Sequence, residues 1–175
     1  MTTQDVRDKA HIEALANELG AHLIYDATNT GGNDGPRAQI ELREVHLRPS
    51  VVDYWAALHE LGHIATTELD ARKIAYQYGL LGVQTVIDEA RAWQWALDNA
   101  NRPPDAAAKA DIAISMASYF YSHATIPVAD PTVAHLIRLV GPNPAIDENL
   151  DEYSRPYRDV AHDIWTRANA LAGAV

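Results

Sequence analysis

The sequence predicts an α+β domain, mostly helical, with a small antiparallel sheet. Three observations lead there. An amphipathic helical pattern opens the chain and is followed by two short strand-like stretches. A helical pattern carrying two histidines one turn apart comes next. The remainder reads as helices separated by prolines and glycines.

Residues 4 to 19 set Val6, Ala10, Ile12, Ala14, Leu15, Ala16 and Leu19 among charges, with Gly20 as the stop. "AHLIYDA" is short and apolar and reads as a strand. "TNTGGNDGPR", residues 28 to 37, gathers glycine, asparagine and proline and reads as a turn or loop. Residues 38 to 47 alternate through Ile40, Leu42, Val45 and Leu47, with one change of phase after Leu42. That predicts one strand with a bulge. Pro49 ends it. Ser50 is the expected N-cap, with Asp53 as a weak capping-box partner, of a helix from about Val51 to about Leu69. A short link leads to a helix over 80 to 102, stopped by Pro103 and Pro104. An alanine-rich helix covers 105 to 122, a short helix 132 to 140, and a last helix about 157 to 172. Pro127 and Pro131 bracket a turn, and "GPNP" breaks the chain at 141 to 144. No repeat and no strong boundary is visible. The expectation is a single domain over 1–175, with a core over about 4–103 and a helical C-terminal extension over about 105–175.

A chain of 175 residues with 47% hydrophobic content is globular and can bury one sizeable core. Its net charge of −10 argues against direct nucleic acid binding and against an anionic membrane surface. Cysteine is absent, which excludes disulfides and every cysteine ligand or nucleophile and fits a reducing compartment. No signal-peptide pattern and no transmembrane-length apolar run is seen, so a cytoplasmic location is expected.

The chemistry concentrates in "ALHELGHIAT". In a helix, His59 and His63 share a face and can offer two imidazoles to one Zn2+ ion. Glu60 lies about 100° around the helix from His59, beside such a metal without ligating it, where a general base belongs. The bare pattern also arises by chance in ordinary helices. Its context favours zinc: Leu58, Leu61 and Ile64 embed it, and buried histidines and a glutamate are costly without partners. Gly62 is a poor helix former, and close approach of another element explains it.

A catalytic zinc site needs a third protein ligand. Thr66 and Leu69 stand where an extended three-histidine motif would place glycine and histidine. In "VIDEARAWQWAL", Glu89 is the favoured candidate and Asp88 the rival; a solvated helix start would also account for this acidic pair. Glu68 is too near on the same helix, and Glu148 and Glu152 are remote alternatives.

"VHLRPSVVDYWAALHELGH" followed by "EARAW" resembles the gluzincin group of metallopeptidases, closest to the ImmA/IrrE-like family. The resemblance covers roughly residues 10 to 100. It implies a zincin-like domain whose sheet packs on the HExxH helix, with His59, His63 and Glu89 as ligands and Glu60 as base. It also implies a protein or peptide substrate, with a transcriptional regulator as one candidate, and a setting in stress response, phage biology or mobile elements. Arg91 replaces the family's frequent Asn, and Gln94 stands where Ala is usual. Trp93 takes the place where thermolysin-type enzymes use an aspartate to orient a histidine ligand, which leaves that role unassigned. Residues 105 to 175 carry no such resemblance.

An oxyanion donor would be a His, Tyr or Arg. His123, Tyr119, Tyr121, Tyr76, Tyr78, Tyr153 and Tyr157 are candidates, with His123 the most interesting. Trp55 and Trp93, each one turn from a proposed ligand, are read as core residues that also wall the pocket. His46 is expected to face away from the core. The 38–47 strand is the candidate edge for an extended substrate, with "TNTGG" as a flap. The expected activity is zinc-dependent peptide-bond hydrolysis, with Glu60 as base to a zinc-activated water. The competing expectations are a zinc-bearing regulatory or interaction protein with little peptidase activity, and a helical domain with no metal.

Overall fold

The computed structural model describes residues 2–25, 36–48, 53–146 and 158–174. Among them are seven helices and three short strands, a mostly helical α+β fold. In order they are α1 (Thr3–Leu19), β1 (His22–Tyr25), β2 (Arg37–Gln39), β3 (Glu44–Leu47), α2 (Tyr54–Thr66), α3 (Leu69–Gln77), α4 (Leu81–Asn99), α5 (Ala106–Ser122), α6 (Pro131–Val140) and α7 (Arg158–Ala172). No helix among the described residues is long and apolar enough to cross a membrane.

The chain groups into two compact units, where the sequence shows no boundary. One comprises Met1–Thr67 with Ala92–Arg102, the other Glu68–Arg91 with Pro103–Val175. The division falls inside α4, not in a linker.

In the first unit, α1 opens with a capping box between Thr2 and Asp5 and ends at Gly20. The sheet corrects the sequence expectation twice. Its order is β1-β3-β2, with β1 parallel and β2 antiparallel to β3, so it is mixed. Residues 38–47 are also not one bulged strand. Ile40–Leu42 tighten into a 3-10 turn, Arg43 enters the left-handed region at φ 53°, and the chain reverses. Arg37 thereby pairs with His46, and Gln39 with Glu44. The Arg43 side chain donates to the carbonyl oxygens of Leu19 and Gly20, which ties this turn to the end of α1. β3 is therefore central, and β1 and β2 are the edges. Val45 and Leu47 are buried, while His46 lies on the other face with Glu44 and bonds it. The proposed "TNTGG" flap, residues 28 to 32, lies outside the described residues.

The helix α2 runs Tyr54–Thr66, and Ser50 and Val51, the expected cap and start, lie outside the described residues. Asp53 is its N-cap, accepting from the Ala56 amide, so the residue expected as Ser50's partner performs the capping itself. Eight of the 13 residues of α2 are buried, among them Leu58, His59, Leu61, Gly62 and Ile64. An ion pair between half-buried Arg102 and buried Asp8, at 3.6 Å, joins the chain after α4 to α1. Arg102 also lies over the rings of Tyr54 and Trp55. The Tyr54 hydroxyl accepts from the Asn101 amide, donates to the Asn101 side chain and meets His11 Nδ1 at 2.9 Å. Together these bonds hold α1, the start of α2 and the end of α4 in one arrangement.

In the second unit, α5, α6 and α7 bury Ile112, Met116, Phe120, Leu136, Ile137 and Trp165. Trp165 Nε1 donates to the Gly141 carbonyl, which anchors the break after α6. The helix α3 is an addition to the predicted elements. Gly79, at φ +71°, reverses the chain after it, and the Leu80 amide bonds back to Ala75.

Candidate metal centre

The site begins with a helix contact. A Cβ on Gly62 would lie 2.4 Å from the carbonyl oxygen of Ala92, so only glycine lets α2 approach the α4 backbone this closely. One turn earlier on α2, His59 stacks on Trp93, with ring centroids 4.2 Å apart and planes at 27°. The indole stands four residues after Glu89, where thermolysin-type enzymes carry an aspartate. It sets a ring face against the imidazole and so restrains it.

His59 and His63 bring their Nε2 atoms to 3.1 Å. Two nitrogens each bound to one tetrahedral zinc lie about 3.3 Å apart, from bond lengths of about 2.0–2.1 Å. The i, i+4 spacing thus aims both rings at one point. Glu89, on α4 one turn before Trp93, completes the set: ligand atoms of His59, His63 and Glu89 all lie within 4.8 Å of one another. It is the one such group of three found among the described residues. His59 and Glu89 are buried and His63 is half-buried. Two neutral imidazoles and a carboxylate are a donor set suited to zinc, so the residues fit the ion.

The geometry separates Glu89 from its neighbour. Asp88 Oδ1 accepts from Gln84 Nε2 at 2.7 Å, and Oδ2 lies 3.6 Å from Arg72 Nε. Asp88 is thus engaged between α3 and its own helix. Glu89 accepts instead from Ser115 Oγ of α5 at 2.7 Å. Glu68 is the exposed N-cap of α3. Glu148, Glu152, Tyr153 and Tyr157 lie outside the described residues.

Glu60 is half-buried on the turn between the two histidines. Trp55 is buried against Tyr54 and Arg102. His123 is the exposed C-cap of α5, its ring against Gly82 in the first turn of α4. Gly82 precedes Glu89 by about 10 Å of helix, so His123 approaches α4 two turns away from the ligand. Tyr76, Tyr78 and Tyr121 are exposed, and Tyr119 is half-buried one turn beyond Ser115. Sequence reasoning missed Ser115, and nothing in its local pattern marks it.

Comparison with known protein families, curated proteins and solved structures finds no match to this chain.

Proposed function

We propose that the chain is a zinc-dependent metallopeptidase of the ImmA/IrrE-like kind, with zinc held by His59, His63 and Glu89. The observation that carries this reading is the convergence of two imidazole nitrogens 3.1 Å apart with a buried carboxylate from another helix. Zinc, when bound, supplies a Lewis acid able to polarise a carbonyl and acidify water. Glu60 takes a proton from the attacking water and passes it to the departing amine. Leu58, Leu61 and Trp93, all buried, keep the surroundings apolar and hold back bulk water. The substrate is a protein or peptide, with a transcriptional regulator the leading class, and the working compartment is the cytoplasm.

Elemental analysis of the purified chain tests the metal first: about one zinc per molecule is expected from a single site. His59→Ala should abolish it. Glu60→Gln should keep zinc and lose cleavage, and it doubles as a trap for the substrate. A wild-type chain that holds zinc but cleaves none of the proteins trapped in this way would leave a structural or regulatory metal site in place of a peptidase.

A further inference from the structure

Ser115 stands in an apolar stretch of α5, with Ile112, Ala113, Met116 and Ala117 all buried. A serine or threonine inside a helix commonly returns its hydroxyl to the carbonyl one turn back. Thr66 does so to Gly62, and Thr85 to Leu81. The Ser115 hydroxyl reaches another helix: it donates to Oε1 of Glu89 on α4, at 2.7 Å.

That bond has a specific consequence for a ligand side chain. A glutamate has three rotatable bonds, and its carboxylate swings widely unless something holds it. A hydroxyl donating to one oxygen fixes the rotation of the group. Being neutral, it does so without cancelling the negative charge a cation would use, as an arginine or lysine would. Partners of this kind commonly set metal affinity within a factor of about 10–100.

We infer that Ser115 is a positioning residue for Glu89, and that the helical region after Pro103 supplies the outer support of the metal centre. This rests on the metal-site reading above and adds a role for a part of the chain that carried none.

The test uses the full chain stripped of metal, as wild type, Ser115→Ala and Ser115→Thr. Zn2+ affinity is measured by competition with a chelating dye, the Co2+ absorption spectrum is recorded, and the metal-free melting temperature is taken. Ser115→Ala should bind Zn2+ about 10–100-fold more weakly and alter the Co2+ spectrum. Ser115→Thr, which keeps the hydroxyl, should restore both. The metal-free melting temperatures should agree within about 2–4 °C. A merely structural serine would lower that temperature and leave affinity alone. If Ser115→Ala binds Zn2+ as wild type does, the positioning role is overturned while the metal site stands. If the wild type itself takes up no Zn2+, both are overturned.

Discussion

The Cβ that Gly62 lacks would stand 2.4 Å from the carbonyl oxygen of Ala92. The neighbour is backbone within a helix, so it cannot swing aside as a side-chain tip would. Gly62→Ala should gain about 1 kcal/mol of helix propensity and lose more through overpacking, which typically costs about 1–3 kcal/mol. The expected result is a lower melting temperature together with weaker Zn2+ binding, because α2 and α4 both carry proposed ligands. A melting temperature at or above wild type would show that the two helices separate at little cost.

Glu89 and Asp88 are adjacent acids with different partners, which makes them separable. Glu89→Gln should reduce Zn2+ uptake sharply, since a neutral amide is a poor replacement for a carboxylate ligand. Asp88→Asn should leave uptake unchanged and weaken the Arg72 and Gln84 bonds, costing roughly 1–3 kcal/mol of stability. Zinc content and denaturant melts of the two variants read this directly; reversed outcomes would make Asp88 the ligand.

The contact of Trp93 with His59 provides an optical handle. Metal binding at His59 changes the electrostatic surroundings of a stacked indole, so tryptophan emission should respond to Zn2+ titration. Trp93→Phe should remove most of that response while preserving a ring to stack. A response that survives intact would assign it to Trp55, Trp95 or Trp165.

Burial pushes the Tyr54 hydroxyl above its ordinary tyrosine pKa, Asp8 nearby adds to the rise, and the Asn101 amide and Arg102 oppose it. In the unfolded chain Tyr54 ionises near pH 10. Above that pH the unfolded state has released a proton that the folded state still holds, so stability should fall as the solution becomes more alkaline. Below pH 10 this contribution is fully present. Tyr54→Phe should flatten the decline; melts between pH 8 and about 11 would reveal an equal slope in both proteins if the idea is wrong.

The site was legible where the chemistry is local or where residue types are scarce. His59 and His63 follow from helical spacing, Gly62 from its cost in a helix, and Glu89 from the shortage of other suitable acids. Apart from α3, the fold was legible in its helices, whose caps and prolines are local signals. The hairpin between β2 and β3 was not, because the residue that turns it, Arg43, is no glycine and is held in place by bonds to Leu19 and Gly20. The parallel pairing of β1 with β3 escaped for a related reason: strand order is a property of distant contacts. Ser115 belongs to the same class. It looks like filler in an alanine-rich helix until α4 lies beside it.

A shortened chain ending at Pro103 would keep His59, Glu60, His63 and Glu89, every residue that a motif search would demand. It would also remove Ser115 and expose a carboxylate that is now only 3% accessible. Water would then solvate that carboxylate and compete with the cation for it. The smallest piece that spells the motif is thus larger in sequence than in chemistry: what would make Glu89 a good ligand is encoded well after the last proposed ligand has been written.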